Sequence, residues 1–457
     1  METKLPVPRA ILVGIQVPNV DDVSHAASLE ELRRLVKTLG YEVTGTISQK
    51  RAGIGGDTVL GKGKLEELAA ITGGRGFVGS MAIARKSKAR EHFEDADERK
   101  PDTPPIEAEV EPVTEPTAKP EFVIVDHDIS PTQARNLERA TGAQVLDRTG
   151  VILEIFHRHA RSREAKLQVE IARLKYVAPR LRESSGGDAR QQGAGSGESD
   201  LELDRRKIRD RLAELKEQLD EIQRGNAQRR YARRDQLRVA LVGYTNAGKS
   251  SLMRALTGSE VLVEDKLFAT LDTTVRALQP EAKPRVLVSD TVGFIKKLPH
   301  DLVASFKSTL DEALEASLLL FVVDASDPTY ESQLEVSRSV LREIGADAVP
   351  SRLLLNKVDR LSEADRTALA VKHPDAILLS AKSPQDVARL RDEIVAFFET
   401  AMVEEQFVLP YEKQALLAEV HEHARVLAED FDTTGRIMTV RGMPGAIARL
   451  RRALAAS

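Results

Sequence analysis

Apolar positions recur with two different spacings along the first part of the chain. Short apolar runs bounded by turn residues predict four strands, at 10–16, 41–48, 122–125 and 145–147. Apolar residues spaced three and four apart predict three helices, over 24–39, 64–71 and 130–140. Ser24 and Ser130 are the expected N-caps of the first and third helix, and Pro131 suits a first helical turn. Strands that alternate with helices predict a parallel sheet covered on both faces.

Two long amphipathic segments follow this α/β region. An apolar seam runs over 160–181 in the first and over 201–222 in the second, and a glycine-rich stretch at 183–197 joins them. This pattern predicts an antiparallel helical hairpin. Periodicity alone leaves two roles open for it, a scaffold with a solvated tip or a probe that inserts into a partner.

A second alternating region begins near residue 238. Apolar runs there predict five strands, at 238–242, 286–289, 318–324, 353–355 and 377–379. Beyond residue 405 the pattern predicts a strand, a helix over 411–425, two more strands and a last helix. The expected fold class is therefore α/β, with an N-terminal parallel α/β domain, the helical hairpin, a second α/β domain and a small α+β C-terminal domain.

Composition narrows the cellular setting. The chain of 457 residues has no cysteine, which excludes disulfides, thiolate metal sites and cysteine nucleophiles. It has no run of about 18 uncharged apolar residues, so no membrane span is predicted. Its N-terminus lacks the long apolar core of a signal peptide. The expected location is the cytoplasm, with peripheral attachment to a membrane left open.

The net charge of −4 is unevenly distributed. Residues 91–121 hold eleven acidic and three basic residues, and with the prolines of 101–120 they predict a disordered acidic insert within 75–120. Residues 158–238 hold 21 basic and 14 acidic residues. A basic arm of this kind suits contact with a phosphate backbone, although a solvated charged face explains the same composition.

The strongest chemical signal is G-Y-T-N-A-G-K-S at 243–250, which follows a predicted strand and precedes an amphipathic helix. It matches G-x-x-x-x-G-K-S in the strand–loop–helix setting that binds nucleotide phosphates. Backbone amides and the helix N-terminus would surround the phosphates. Lys249 would reach the β- and γ-phosphates, and Ser250 would offer a hydroxyl to Mg²⁺. The predicted contacts are Gly243, Tyr244, Thr245, Asn246, Ala247, Gly248, Lys249 and Ser250.

Three further motifs each follow a predicted strand, at the sheet edge where open α/β folds bind ligands. In Asp290-Thr291-Val292-Gly293, the carboxylate is expected to hold Mg²⁺ through water, and the glycine amide can bond a γ-phosphate. In Asn356-Lys357-Val358-Asp359, the last carboxylate can accept two hydrogen bonds from guanine, which adenine cannot donate. In Ser380-Ala381-Lys382, the central amide can meet guanine O6.

The segment Phe268-Ala269-Thr270-Leu271-Asp272-Thr273-Thr274 has the position of a nucleotide-sensing switch. A Thr hydroxyl there would complete the Mg²⁺ shell when a γ-phosphate is present, and Thr270, Thr273 and Thr274 are equally suited on chemistry alone. Phe294 directly follows Gly293, where Ras-like GTPases carry a Gln that orients the attacking water. Because Phe cannot hydrogen-bond water, hydrolysis is expected to be slow until a partner stimulates it.

Taken together, these motifs resemble those of the HflX family of translation-factor GTPases, and the resemblance covers nearly the whole chain. Within the second α/β domain it rests on residues 243–250, 268–272, 290–295 and 298–300. Elsewhere the similar segments are L-G-K-G-K-L-E-E-L at 60–68, S-P-T-Q-A-R-N-L-E at 130–138, D-R-T-G-V-I-L-E-I-F at 147–156 and R-E-A-K-L-Q-V-E at 163–170. The chain departs from the family pattern in a shortened glycine-rich loop at 193–198 and in the acidic insert.

The resemblance implies a Ras-like P-loop GTPase domain that hydrolyses bound GTP to GDP and phosphate with Mg²⁺ as cofactor. It assigns the switch Thr to Thr270, so Lys249, Thr270 and Gly293 are the expected catalytic residues, and Ser250 and Thr270 the expected metal ligands. It also adds residues 268–272 to the expected nucleotide contacts. Asn246 has the position that helps to bind K⁺ in related GTPases, so K⁺ dependence is a hypothesis.

The resemblance also implies how the chain is divided and what it binds. The expected parts are an N-terminal α/β domain at 1–156, a basic hairpin at 157–236, the GTPase domain at 237–402 and a small C-terminal domain at 403–457. The implied partner is the large 50S ribosomal subunit with its rRNA, and the implied role is splitting or rescue of ribosomes stalled under stress. A GTPase of ribosome assembly or RNA remodelling is the alternative. A monomer is expected.

Overall fold

A computed structural model describes residues 7–78, 119–184, 200–233, 236–258, 267–268, 273–296 and 312–455. Most of the acidic insert, the glycine-rich loop at 193–198 and the motif at 298–300 lie outside these residues. The described residues divide into two compact units, one within 1–152 and 179–195, the other within 153–178 and 196–457. No helix among them combines the length and the apolar character that crossing a membrane requires.

The first unit is built on a four-stranded parallel sheet, which confirms the prediction. Its strands are β1 (Arg9–Gln16), β2 (Glu42–Lys50), β3 (Phe122–Val125) and β4 (Gln144–Asp147). They lie in the order β2-β1-β3-β4. Every residue of β1 after Arg9 is buried, as expected for an inner strand of a parallel sheet covered on both faces.

Among the described residues, the helices that connect these strands are α1 (Asp22–Thr38), α2 (Lys62–Thr72) and α3 (Pro131–Thr141). The prediction that Ser24 caps α1 is wrong. The cap is Asp21, whose carboxylate accepts a hydrogen bond from the Ser24 amide at 2.6 Å. Ser130 does cap α3, and its hydroxyl and the Gln133 side chain form a reciprocal capping box.

Helix α4 (Arg148–His159) follows β4 directly and was not predicted. The two predicted long helices are present as α5 (Arg163–Ser184) and α6 (Asp200–Arg233). A small cluster of buried Leu167, Ile171 and Leu215 packs them together. Their contact also includes an ion pair between Arg211 and Glu170 at 3.0 Å.

A six-stranded sheet forms the centre of the second unit. Its strands are β5 (Leu237–Val242), β6 (Thr274–Ala277), β7 (Val286–Asp290), β8 (Leu318–Asp324), β9 (Ser351–Asn356) and β10 (Ile377–Leu378). The order is β10-β9-β8-β5-β7-β6, and only the pairing of β6 with β7 is antiparallel. The sequence predicted the five parallel strands and missed β6.

The helices with fully described bounds in this part of the chain are α7 (Lys249–Thr257), α8 (Tyr330–Glu343), α9 (Glu363–Lys372) and α10 (Pro384–Thr400). The core joins α7 and α10 to the sheet through Leu252, Leu256, Leu390, Ile394 and Phe398, all buried. The five parallel strands end at one edge of the sheet, so the loops that follow them meet there.

The C-terminal region is a three-stranded antiparallel sheet with two helices. Strands β11 (Val403–Pro410), β12 (Ala424–Phe431) and β13 (Gly435–Gly442) lie in the order β11-β13-β12. Helices α11 (Leu416–His423) and α12 (Pro444–Ala455) pack on it through Val420, Ile447 and Leu450. The predicted order of elements is confirmed, but α11 is shorter than the predicted helix at 411–425.

Candidate functional site

The loop at 243–250 leaves the sheet at the end of β5, between β8 and β7. Gly243 has φ +146, and a Cβ there would stand 2.2 Å from the Val322 carbonyl oxygen of β8. Gly248 has φ +98, and a Cβ there would stand 2.3 Å from the Asn356 amide nitrogen. Only glycine fits either position, so both glycines of the motif are explained by close approach to neighbouring strands as well as by backbone conformation.

Lys249 is buried inside the loop to which it belongs, with 6% of its surface exposed. Its ammonium donates hydrogen bonds to the carbonyl oxygens of Gly243 at 3.0 Å and Tyr244 at 2.8 Å. Burial lowers the pKa of Lys249 to about 8, and the negative charge of Asp290 opposes that shift. A cation held in a low-dielectric position is stabilised by an adjacent anion, so the site favours phosphate.

Two oxygen-bearing side chains meet beside Lys249. The Ser250 hydroxyl, in the first turn of α7, donates to the Asp290 carboxylate at 2.7 Å. Asp290 ends β7 and is fully buried. Hydroxyl and carboxylate oxygens are the ligands that Mg²⁺ prefers, so the donor set fits that ion.

Gly293 lies next to the ammonium of Lys249. A Cβ at Gly293 would stand 3.0 Å from Lys249 Nζ and 2.8 Å from the Cα of Thr245. The Thr245 hydroxyl is buried and has no hydrogen-bond partner among the described residues. The Lys249 ammonium and the Thr245 hydroxyl therefore lie beside Gly293, which has no side chain to block them. This combination suits an anionic ligand.

Phe294 is held by its backbone on both sides. Its amide donates to the Gly243 carbonyl at 3.1 Å, and its carbonyl accepts from the Thr245 amide at 2.8 Å. Its side chain is 2% exposed. The position that carries a water-orienting Gln in Ras-like GTPases is here a buried ring that cannot hydrogen-bond water.

Asn356 joins the phosphate loop to the predicted guanine loops. Its amide donates to the Ala247 carbonyl at 2.9 Å, and its side-chain oxygen accepts from the Ala381 amide at 3.0 Å. Asn356 is 1% exposed. A buried amide with both of its ends bonded fixes the relative position of three loops.

Asp359 and Ser380 lie side by side at the end of β9 and β10. The Ser380 hydroxyl donates to Asp359 at 2.7 Å and holds the pKa of that carboxyl below its ordinary value. The side chain of Asp359 is 37% exposed, so its carboxylate is anionic at neutral pH and accessible to a base.

Sequence reasoning missed two carboxylates that support these loops. Asp324, at the end of β8, pairs with Lys357 at 2.7 Å, and Lys357 also donates to the Asn246 carbonyl at 2.7 Å. Asp386 accepts a hydrogen bond from the Ser380 amide at 2.9 Å. Asp324 shares the signal of the predicted motifs, a polar residue directly after an apolar strand. Asp386 had no such signal.

The structure brings together four of the five predicted segments, at 243–250, 290–293, 356–359 and 380–382. Of the fifth, at 268–274, Phe268, Thr273 and Thr274 are described. The buried ring of Phe268 contacts Phe156, and Thr274 is the first residue of β6. Ala269, Thr270, Leu271 and Asp272 lie outside the described residues, so the assignment of Thr270 stays a prediction.

A six-stranded sheet with a phosphate loop after β5 and a guanine motif after β9 defines a P-loop GTP-binding protein. Three family models match the chain in succession. They are a GTP-binding GTPase N-terminal region over 26–78 and 106–157, a GTP-binding GTPase middle region over 159–233, and a 50S ribosome-binding GTPase over 238–357.

The chain belongs to the HflX family of GTPases, which confirms the resemblance drawn from its motifs. It is 73% identical over 456 residues to GTPase HflX of Gluconacetobacter diazotrophicus, with 100% of both chains covered. It is 39% identical to GTPase HflX of Caldanaerobacter subterraneus, covering 93% of this chain and 89% of the relative. A solved GTP-binding protein from Sulfolobus solfataricus in complex with GDP is 23% identical, with a TM-score of 0.43 and coverage of 85% and 98%.

Proposed function

We propose that this GTPase binds GTP and Mg²⁺ at the loop 243–250 and uses hydrolysis to control its association with the large ribosomal subunit. Splitting or rescue of ribosomes stalled under stress is the proposed outcome. The observation that carries the nucleotide site is the position of Lys249, a buried cation that lies beside Ser250, Asp290 and Gly293.

The proposed roles follow from the chemistry of each group. Lys249 binds the β- and γ-phosphate oxygens, and the Gly293 amide donates to the γ-phosphate. Ser250 and Thr270 would hold Mg²⁺, which neutralises phosphate charge when it is bound, and Asp290 would accept a hydrogen bond from a water of that ion. Because the Phe294 side chain offers no hydrogen bond, the attacking water is oriented poorly until a partner contributes.

Guanine is proposed to bind between the loops after β9 and β10. Asp359 accepts hydrogen bonds from guanine N1 and the 2-amino group, and the Ala381 amide donates to O6. The anionic state of Asp359 supports this orientation. The Ala381 amide donates to the Asn356 side-chain oxygen in this structure, so its hydrogen would be shared between that oxygen and guanine O6 in the complex. The remaining members of the four predicted motifs are proposed as backbone or packing contacts of the nucleotide.

We also propose that K⁺ supports hydrolysis through Asn246. The backbone of Asn246 is left-handed, with φ +58, and its carbonyl oxygen already accepts from Lys357. Its side-chain oxygen is the group proposed to bind the ion. Turnover measured in KCl should exceed turnover in NaCl, and Asn246→Ala should abolish the difference; equal rates in the two salts would remove the proposal.

Ribosome association rests on charge and on family. Residues 158–238, most of which form α5 and α6, have seven more basic than acidic residues. The family model that matches 238–357 is described as a 50S ribosome-binding GTPase. Basic helices suit contact with rRNA, since binding to phosphates releases counterions. The proposed division at residues 156, 236 and 402 assigns this contact to the hairpin, and the proposed setting is a cytoplasmic monomer.

Sedimentation with separated ribosomal subunits tests the proposal. The protein should pellet with the large subunit in a non-hydrolysable GTP analogue and much less in GDP. Lys249→Ala should abolish the nucleotide dependence. Equal pelleting with GDP and with the GTP analogue would contradict control of ribosome association by the bound nucleotide. Binding only to immature subunit particles would favour a role in ribosome assembly.

A further inference from the structure

Two phenylalanine rings that are far apart in the chain meet edge to face in the second unit. The ring centroids of Phe156 in α4 and Phe268 lie 4.6 Å apart, with an interplanar angle of 83°. Phe156 is fully buried and Phe268 is 2% exposed. This is a favourable geometry for two aromatic rings, since the positive edge of one faces the negative face of the other.

The backbone at Phe268 is strained. Its φ is +57, in the left-handed region that a bulky L-residue seldom adopts. A residue remains in such a conformation only where the surrounding packing over-determines it. The ring contact with Phe156 is a specific interaction that holds Phe268 in place, so this contact and the strained backbone occur together.

Phe156 closes the motif D-R-T-G-V-I-L-E-I-F at 147–156, to which the nucleotide chemistry gives no role. The helix that carries Phe156 begins at Arg148, whose side chain is 1% exposed and pairs with Asp126 at 2.8 Å and with Glu31. Phe156 lies in the last two turns of this helix, in the part that belongs to the second unit together with Phe268.

Phe268 is the first residue of the proposed nucleotide-sensing segment at 268–274. Thr270 stands two residues later, and two residues of extended chain span at most about 7 Å. Fixing Phe268 therefore limits the volume that Thr270 can explore.

We propose that Phe156 is a positioning residue for GTP hydrolysis, which acts by holding Phe268 and so fixing the start of the nucleotide-sensing segment. This inference rests on the proposed assignment of Thr270 to the Mg²⁺ shell. It also gives the motif at 147–156 a function, because α4 then supports the switch directly.

The test compares Phe156→Leu with Phe268→Leu in the full-length protein. Each variant keeps an apolar side chain but removes one ring. Single-turnover GTP hydrolysis should fall about five- to tenfold, which lies within the roughly two- to twelvefold range that corresponds to loss of an edge-to-face pair. The affinity for a GTP analogue should fall by a similar factor, whereas the affinity for GDP should stay within about twofold, because GDP lacks the phosphate that engages the switch. The double variant should lose no more than either single variant, since both remove the same contact.

Two further variants separate the contact from other effects. Phe268→Gly adopts the left-handed backbone without strain, so it should match Phe268→Leu if the ring contact is what matters. Phe397→Leu removes one ring of another edge-to-face pair, formed with Phe398 in α10, and should hydrolyse GTP at the wild-type rate.

Wild-type hydrolysis and analogue affinity in both Phe156→Leu and Phe268→Leu would overturn the inference. Equal losses for GDP and the GTP analogue would overturn it as well, because they would indicate general destabilisation. Thr270→Ala tests the underlying assignment, because normal hydrolysis in that variant would show that Thr270 is misassigned. If Thr270→Ala is impaired but Phe156→Leu and Phe268→Leu hydrolyse GTP normally, the assignment of Thr270 stands and only the present inference is refuted.

Discussion

The carboxylate of Asp324 lies 2.7 Å from the ammonium of Lys357, and both side chains are 15% exposed. The same ammonium donates to the Asn246 carbonyl at 2.7 Å. Lys357 and Asn246 both have left-handed backbones, with φ of +63 and +58. The Lys357 ammonium thus links the loops that follow β5, β8 and β9. It also stabilises the left-handed backbones of Lys357 and Asn246 beside the end of β8.

Replacing Asp324 with Asn should weaken nucleotide binding without touching the nucleotide. The substitution keeps the size of the side chain but leaves Lys357 largely buried without its counter-charge, which costs about 1–3 kcal/mol. GDP affinity should therefore fall roughly tenfold, as measured by titration with a fluorescent GDP analogue. Glu335→Gln, at an exposed pair with Arg342, is the matched control and should bind as wild type. Unchanged affinity in Asp324→Asn would show that the pair does not position the loops.

The strand-end motifs could be predicted because each one combines a local apolar run with a fixed chemical pattern. Asp324 follows an apolar run but belongs to no fixed chemical pattern. Its role depends on Lys357, which is distant in sequence. Strand β6 at 274–277 was missed because its polar and apolar residues alternate over only four positions and its first residue, Thr274, lies in the segment assigned to the nucleotide switch. Helix α4 was missed because its residues from Val151 to Phe156 are all apolar except Glu154. A nearly continuous apolar run does not show the three- and four-residue spacing that marks a helix. The contact between Phe156 and Phe268 exists only in the folded chain, and no sequence pattern marks it.

Above about pH 8, the protein should take up a proton at Lys249 when it binds a nucleotide. Burial places the pKa of Lys249 at about 8 in the free protein, and the charge of bound phosphates raises it. Below pH 8 the lysine is charged both free and bound, so affinity is insensitive to this group. Above pH 8 the free lysine is mainly neutral and must be protonated on binding, so affinity falls as pH rises.

Calorimetry of GDP binding at pH 8.5 in two buffers of different ionisation enthalpy measures this uptake. More than half a proton is expected, because at that pH the terminal phosphate is already ionised and contributes little. Lys249→Arg provides the control, since a guanidinium stays charged throughout this range and should take up none. No uptake by the wild-type protein would mean that Lys249 is already fully charged without a ligand.

Guanine selection should depend on the charge of Asp359. An Asn in this position can accept only one of the two guanine hydrogen bonds and presents an amino group to the other, which costs roughly 2–4 kcal/mol. Asp359→Asn should therefore lower GDP affinity about a hundredfold. It should gain affinity for xanthosine diphosphate, whose base carries an oxygen where guanine has its amino group. Asp375→Asn, at an exposed residue before β10, should change neither affinity. A variant at Asp359 that still prefers GDP would place the base elsewhere.

Substituting Phe294 with Gln should not supply the missing water-orienting group. The ring is 2% exposed, and the backbone on either side is fixed to Gly243 and Thr245, so a Gln there enters an apolar position instead of reaching solvent. Burial of its amide should cost about 1–3 kcal/mol of stability. Intrinsic GTP hydrolysis, measured by single turnover, should stay at or below the wild-type rate, while the midpoint of thermal unfolding falls. Phe294→Leu, which keeps an apolar side chain, should retain the wild-type rate with a smaller loss of stability. A faster rate in Phe294→Gln would mean that residue 294 can turn toward the γ-phosphate, and the slow intrinsic hydrolysis would then be a direct consequence of the Phe side chain.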